Sequence, residues 1–169
     1  MAETTVRMGE YAVASRSGDV LVTIGLGSCI GLALIDRRRG VAGLAHIMLP
    51  DSSTKIDSTN SARYADVAVP TLVASVVKAG ASQSALEAVL VGGAKMFAMG
   101  GDSLDIGARN DASTRALLAA QRIPIIATET GGTKGRTIRV FVDGPRVTSR
   151  VAGGTEVELV GADARSNAA

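Results

Sequence analysis

Two apolar segments lie close together near the start of the chain, at residues 30–35 and 41–48, and a short polar segment at 36–40 separates them. Uninterrupted apolar runs of this length are typical of strands that are covered on both faces. The polar segment between them has the composition of a hairpin loop. The pattern therefore predicts a buried antiparallel hairpin at the centre of the fold.

The rest of the chain carries an uneven mixture of strand and helix signals. Further strands are predicted at residues 5–15, 20–24, 86–91, 123–127, 136–142 and 146–151. Apolar positions at helical spacing predict helices over residues 61–79 and 112–122, and Pro70 should kink or break the first of them. Strands thus dominate both ends of the chain, with the two main helices between them. This order favours a layered α+β domain over a regular βαβ alternation.

Length and composition suit one globular domain. The 169 residues are 46% hydrophobic and 20% charged, which is an ordinary balance for a soluble protein. We assign residues 1–160 to a single domain and expect residues 161–169 to form a flexible tail. The polar residues 51–60 follow the second apolar run directly and are predicted to be a flexible connection of the kind that often borders a site.

The charge pattern and the single cysteine narrow the class of protein. The net charge is only +2, the basic residues are scattered apart from 37–39, and aromatic residues make up 2% of the chain. Nucleic-acid binding needs a basic stripe or a set of stacking aromatics, so neither DNA nor RNA is an expected partner. One cysteine forms no intramolecular disulfide, which is typical of a reducing compartment, and we expect a cytoplasmic protein.

Residues 20–35 are nearly uncharged and need to be weighed as a membrane segment. They are shorter than the roughly twenty apolar residues of a spanning helix and contain several glycines. Residues 26–29 loosely match a lipoprotein signal, but Asp19 directly precedes an apolar stretch much shorter than the roughly 7–15 residues of a signal core. No membrane insertion is expected.

The only cysteine, Cys29, and the only histidine, His46, fall on or beside the predicted hairpin. If residues 36–39 form a four-residue loop, Ile35 lies opposite Gly40, and Cys29 then lies directly opposite His46 on the same face. Opposed residues of an antiparallel pair have Cβ atoms about 4.5–5.5 Å apart. A loop one residue longer or shorter would send the two side chains to opposite faces.

A thiol becomes a strong nucleophile as the thiolate, and a neighbouring imidazole can take its proton. A lone cysteine is more often a small buried side chain, and a lone histidine at a strand end is more often simply hydrogen-bonded. The enzyme interpretation therefore depends on whether Cys29 and His46 meet. Gly25 and Gly27 tolerate positive φ, so backbone N–H groups near Cys29 could converge on an oxyanion.

The glycine-rich residues 92–95 and 131–136 raise the alternative of phosphate binding. Neither matches the Walker pattern, in which a glycine-rich loop is followed by Lys and Ser or Thr. Tight turns at strand ends are the favoured interpretation, since positive φ is the commonest use of glycine.

Several motifs together resemble CheD, the chemoreceptor glutamine deamidase family of bacterial and archaeal chemotaxis. They are TIGLGSC at residues 23–29, AHIMLP at 45–50, RYAD at 63–66, GGAKMF at 92–97, IGARN at 106–110 and GGTKGR at 131–136. The resemblance spans nearly the whole chain in order. One departure is that Glu129 and Thr130 stand where the family leads us to expect an aspartate shortly before Gly131.

The resemblance implies a fold and a set of catalytic residues. The fold would be a layered α/β/β sandwich with mixed β-sheets, similar to the deamidase domain of cytotoxic necrotizing factor toxins. Cys29 would be the nucleophile, His46 the base and Thr23 the third catalytic residue. The backbone at Gly27 and Ser28 is a candidate for oxyanion binding. No metal or cofactor is required.

The resemblance also implies the substrate and a possible regulatory partner. The substrate would be glutamine side chains on the helical cytoplasmic region of methyl-accepting chemotaxis receptors, which deamidation converts to glutamates. Hydrolysis of receptor methyl esters fits the same acyl chemistry. A second function class is a regulatory binding module that engages receptors and stimulates a CheC-type phosphatase, with weak catalysis. A thiol redox sensor is the third alternative, but a resolving cysteine is missing from the chain.

Overall fold

A computed structural model describes residues 2–52, 62–96 and 105–161. The strands are β1 (Glu3–Thr5), β2 (Tyr11–Ala14), β3 (Val20–Leu26), β4 (Ile30–Asp36), β5 (Val41–Ile47), β6 (Glu87–Gly92), β7 (Ile125–Thr130), β8 (Arg136–Phe141), β9 (Arg146–Val151) and β10 (Glu156–Val160). The helices are α1 (Ala65–Lys78) and α2 (Ile106–Ala120), and Gln83–Ala85 form a short 3-10 turn. The predicted connection at residues 53–60 and the tail from residue 162 lie outside the described residues.

The strands form two mixed sheets. One has the order β1-β3-β8-β9-β10 and the other the order β2-β5-β4-β6-β7. Neighbouring strands are antiparallel except for β1 with β3 and β6 with β7. Apart from β10, which the sequence patterns did not indicate, the strand content was predicted in outline. The fold is the expected layered α+β arrangement.

The central sheet is covered on both faces. Its β4 and β5 are buried along their entire length. On one face, Leu32 and Leu34 pack with Leu72 and Val76 of α1 and Leu118 of α2. On the other face, Ala33 and Ile35 pack with residues of the second sheet. The continuous apolar runs are therefore covered on both faces, as predicted, and the structure shows helices on one face and a sheet on the other.

The segment predicted as one strand at residues 5–15 is in fact two strands in different sheets. β1 pairs with β3, whereas β2 pairs with β5. Gly9 takes φ +78 in the turn between them, a conformation that interrupts an extended strand. The chain therefore crosses from one sheet to the other at residues 6–10, and this crossover reaches the site described below.

The helices differ from their predicted bounds mainly at their starts. α1 continues through Pro70 without a break. α2 begins at Ile106, six residues before the predicted start, where the Asp105 carboxylate accepts from Ala108 N–H at 3.0 Å as the N-cap. Within the described residues, no helix has both the length and the apolar character that crossing a membrane requires.

Candidate active site

Cys29, His46 and Thr23 all border the layer between the two sheets. On β5, Ala42 and Leu44 pack in this layer, so His46 has the same orientation because alternate strand residues share a face. Thr23 is fully buried on β3 of the opposite sheet, and Cys29 packs against the apolar cluster between the sheets. The three residues predicted from the sequence thus come from two sheets and approach a common layer.

The register that was predicted for the hairpin is wrong by two residues. Asp36 pairs with Val41, and His46 lies opposite Gly31, so Cys29 is not directly opposite His46. Asp36 extends β4 because its buried carboxylate accepts from the N–H groups of Arg38 and Arg39, each at 3.1 Å. The four-residue loop therefore begins one residue later than expected.

A shift of two residues preserves the face on which each side chain lies. Cys29 directly precedes β4, two positions before Gly31, so extending the strand pattern by one residue would make it a diagonal neighbour of His46. Such neighbours are about 7–8 Å apart between Cα atoms, still within reach of long side chains. The expectation of direct opposition is wrong, whereas a shared face stays a prediction, which the packing of Cys29 against the cluster between the sheets supports.

The loop that carries the nucleophile candidate is held through its carbonyl groups. The carbonyl oxygens of Gly27, Ser28 and Cys29 all accept hydrogen bonds from the far end of the central sheet and from α2. The donors are Ala94 N–H, the Asn110 side-chain amide and Gly93 N–H, each at 2.9 Å. In a planar trans peptide the following N–H points away from the carbonyl. The N–H groups of Ser28 and Cys29 therefore face away from these donors.

The glycine motifs at residues 92–93 and 107 permit this close packing. Gly92 has φ +117, and a Cβ atom there would collide with the Cys29 carbonyl oxygen. A Cβ atom at Gly107 would collide with the carbonyl oxygens of Gly93 and Ala94. The glycines at 92, 93, 131 and 132 all have positive φ, as expected for tight turns. Gly92 in addition lets the end of β6 approach the loop of Cys29, and Gly93 and Gly107 let the start of α2 pack against that end of β6.

His46 is 3% exposed and has one ring nitrogen engaged. Its Nδ1 lies 3.5 Å from the carbonyl oxygen of Val6, in the crossover between β1 and β2. A carbonyl only accepts, so this contact favours the tautomer with the proton on Nδ1 and a lone pair on Nε2. Nε2 is buried and has no hydrogen-bond partner among the described residues, Cys29 included. One nitrogen of His46 is thus left available as a base.

Thr23 and His46 meet at a common acceptor, the carbonyl oxygen of Val6. Thr23 Oγ1 donates to the Val6 carbonyl oxygen at 2.8 Å, and both partners are buried. Sequence reasoning missed Val6 because the group that matters is a main-chain carbonyl, which no side-chain pattern reveals. The crossover also binds the backbone of His46, whose N–H donates to the Glu10 carbonyl and whose carbonyl accepts from Gly9 N–H.

Burial shifts both titrating groups toward their neutral forms. It raises the pKa of the Cys29 thiol above its usual value. Burial also lowers the pKa of His46, against smaller opposing effects from the Val6 hydrogen bond and the charge of Glu10. At neutral pH the resting site therefore holds a thiol and a neutral imidazole.

No group of three or more His, Cys, Asp or Glu side chains in the described ranges is arranged to hold a metal ion. The chemistry that Cys29 and His46 offer is that of a thiol and a base that face the same layer between the sheets.

Comparisons with known proteins identify the family of the chain. A family model described as CheD chemotactic sensory transduction matches residues 48–151. A protein of Symbiobacterium thermophilum named probable chemoreceptor glutamine deamidase CheD is 45% identical over 157 residues, covering 91% of this chain and 95% of the relative. A protein of the same name from Clostridium botulinum strain Alaska E43 is 42% identical over 94% of this chain and its own whole length. Another, from Moorella thermoacetica, is 43% identical over 89% of this chain and 92% of its own length. The chain belongs to the CheD family.

Proposed function

We propose that this protein is a glutamine deamidase of chemoreceptors, in which Cys29 is the nucleophile and His46 the general base. The relatives are named for that activity. The observation that carries the residue assignment is the state of His46, whose Nδ1 faces the Val6 carbonyl while its buried Nε2 has no partner among the described residues. An unprotonated imidazole nitrogen on the same sheet face as a lone thiol is the arrangement that covalent amide hydrolysis requires.

The reaction has two halves. In the first, Nε2 of His46 takes the Sγ proton as sulfur attacks the carboxamide carbon, and the imidazolium then protonates the amine, which leaves as ammonia. In the second, His46 takes a proton from water, the hydroxide attacks the thioester carbonyl, and the sulfur leaves to regain its proton. The substrate glutamine has become glutamate, and Cys29 and His46 are restored.

The neutral resting state supports general-base activation over a preformed ion pair. Because burial raises the pKa of Cys29 and lowers that of His46, charge separation before substrate binding is disfavoured. The proton therefore moves as the carbon–sulfur bond forms. This order also protects the only thiol of the chain from unproductive chemistry between turnovers.

Backbone N–H groups are the proposed oxyanion donors. The carbonyls of Gly27 and Ser28 bind Ala94 and Asn110, so the N–H groups that follow them, at Ser28 and Cys29, face the opposite side. A donor held in place before the reaction stabilises the tetrahedral intermediate without reorganisation. We assign to Thr23 a positioning role, exerted through the Val6 carbonyl that it shares with His46.

The substrate proposed is a glutamine on the helical cytoplasmic part of a methyl-accepting receptor, which places the protein in the cytoplasm. Met96 lies beside the nucleophile loop, since a Cβ atom on Gly27 would be 2.9 Å from its Cγ, and it is 45% exposed. An exposed, adaptable thioether next to the site suits contact with a protein surface. Receptor methyl esters would be hydrolysed by the same acyl chemistry.

The test compares the wild type with Cys29→Ser on a receptor fragment that carries its glutamines. We expect ammonia release and a gain of about one dalton per converted side chain from the wild type, and a rate lower by at least about 10⁴-fold from the variant. A receptor fragment with glutamine replaced by alanine is the substrate control, and circular dichroism checks that the variant is folded.

Equal rates from wild type and variant would refute Cys29 as nucleophile. If the wild type itself releases no ammonia from a receptor of the same cell, the deamidase proposal fails. The regulatory alternative, stimulation of a CheC-type phosphatase, would then be measured with the same two proteins.

A further inference from the structure

Asn110, on the second turn of α2, joins the two halves of the proposed active site. Its Nδ2 donates to the Ser28 carbonyl oxygen at 2.9 Å and to the Met48 carbonyl oxygen at 3.0 Å. Ser28 directly precedes Cys29, and Met48 follows His46 by two residues. The side chain is fully buried. A single amide group therefore binds the backbone on both sides of the Cys29–His46 pair.

This contact makes a chemical demand that few side chains meet. Both acceptors are carbonyl oxygens, so the group between them must supply two protons, and the NH₂ of a side-chain amide has two. In the opposite amide orientation, Oδ1 would point at two carbonyl oxygens, neither of which can donate a proton. The two contacts therefore show that the NH₂ group, and not the oxygen, occupies this position. Asn110 Oδ1 is buried without a partner among the described residues, which costs stability. Asn110 thus makes its two donated hydrogen bonds even though the burial of its oxygen lowers the stability of the fold.

The bond to Ser28 also sets the direction of a catalytic group. It orients the peptide plane between Ser28 and Cys29, and with it the Cys29 N–H, which faces away from Asn110. The bond to Met48 ties that plane to the end of β5, which carries His46. α2 provides a rigid base for both, because it packs through Gly107 onto Gly93 and Ala94.

We propose that Asn110 is a positioning residue that holds the Cys29 loop and the His46 strand in register and aims the Cys29 N–H at the oxyanion. This proposal rests on the proposed deamidase function. Asn110 acts through the main chain and touches neither substrate nor thiol. Its loss should leave the nucleophile and the base present but poorly aligned with each other.

The test measures two properties of Asn110→Ala, namely deamidation kinetics and the pH dependence of Cys29 alkylation by iodoacetamide. We expect kcat to fall by about 10- to 100-fold with KM little changed, because misplaced groups lower transition-state stabilisation more than substrate binding. In the wild type, the plot of alkylation rate against pH should show an inflection from the titration of His46, and His46→Gln should remove it. Asn110→Ala should remove the same inflection although His46 is present.

Thr114→Val is the matched control. Thr114 lies one turn later on α2, is equally buried, and has a hydroxyl without a partner among the described residues. This variant should keep the wild-type kcat and the alkylation inflection. Asn110→Ser retains one donor and should give a kcat between those of wild type and Asn110→Ala; it also provides the comparison if the alanine variant does not fold.

An Asn110→Ala protein with wild-type kcat and an intact His46 inflection would overturn the proposal, even if its melting temperature fell, because only a structural role would remain. The alkylation profile needs no receptor. A wild type that releases no ammonia would therefore refute the deamidase function, while loss of the inflection in Asn110→Ala would still support the positioning role.

Discussion

The two faces of the β4–β5 hairpin are built from the same strands but do different work. On the face toward the helices, Leu32, Leu34, Ala45 and Ile47 pack in an unbroken apolar cluster. On the face toward the second sheet, the apolar cluster ends at Gly31 and His46, which lie opposite each other. One face is apolar along its whole length, whereas the other carries a polar, titratable side chain at one end.

The difference shows how the proposed catalytic histidine is placed without loosening the core. Gly31 lets the second sheet come close, since a Cβ atom there would lie 2.8 Å from Leu26 Cδ1 and 3.0 Å from Ile138 Cγ2. His46 lies opposite Gly31, with its backbone still in the ladder, and both its own strand β5 and the neighbouring β4 are buried along their length. The imidazole is therefore attached to a rigid core strand. The general base proposed here needs such a rigid attachment, because it must be positioned accurately.

The largest effect is expected on the helix face, from Leu72→Ala. Leu72 of α1 is fully buried and fills the space above Gly43 of β5, so its truncation leaves a cavity. The free energy of unfolding should fall by about 2–5 kcal/mol in urea denaturation. The deamidation rate per folded molecule should not change. A lower rate at temperatures where the variant is fully folded would contradict the conclusion that this face serves stability alone.

Val77→Ala on the same helix is the control for that substitution. Val77 is 40% exposed, so its loss should change stability by no more than about 0.5 kcal/mol. Comparable destabilisation by both variants would mean that burial against β5 does not determine the outcome, since alanine is the better helix former at both positions.

An intermediate effect is expected on the other face, from Thr23→Val. The substitution keeps the shape of the side chain and removes the hydroxyl that donates to the Val6 carbonyl. We expect kcat to fall about tenfold and the unfolding free energy to fall by about 1 kcal/mol. Thr23→Ser restores a hydroxyl and should recover most of the rate; a threonine that serves packing alone would be replaced better by valine than by serine.

The smallest effect is a pH dependence of stability that belongs to His46. Burial lowers its pKa in the folded protein, so as the pH falls the unfolded chain binds the proton first. The free energy of unfolding should hold its plateau above the ordinary histidine pKa of 6.5 and decline as the pH drops below that value toward the lowered one. His46 is the only histidine, so His46→Gln should flatten this decline in urea titrations. Parallel declines in the two proteins would contradict a desolvated imidazole.

The hairpin shows how far the sequence could predict the site. Apolar runs reveal that two strands are buried, but they do not say at which residue the loop begins. The loop position depended on Asp36. Its polar side chain indicates a turn, yet in the structure Asp36 is the last residue of β4, and its carboxylate accepts hydrogen bonds from the backbone N–H groups of Arg38 and Arg39. Because the predicted register was wrong by two residues and not by one, each strand residue was still assigned to the correct face. An incorrect register could therefore still suggest that Cys29 and His46 lie on one face.

The parts that could not be predicted depend on main-chain contacts between distant segments. Residues 5–15 alternate like one strand, and nothing in that pattern reveals that the chain changes sheets and delivers the Val6 carbonyl to Thr23 and His46. Asn110 lies before the predicted start of the second helix, and the motif at residues 106–110 that contains it does not show which groups its amide binds. Its two bonds become visible only when the Ser28 and Met48 carbonyls are brought together.

The Val6 carbonyl has a consequence for how such an enzyme would respond to acid. In many hydrolases a carboxylate orients the histidine and can itself take up a proton, so two titrations overlap on the acidic side. An amide oxygen does not titrate in that range. If His46 is the base as proposed, the acid limb of activity should therefore report one proton on one imidazole. A substitution of the Val6 side chain would leave the acceptor in place, because the acceptor is the main-chain carbonyl.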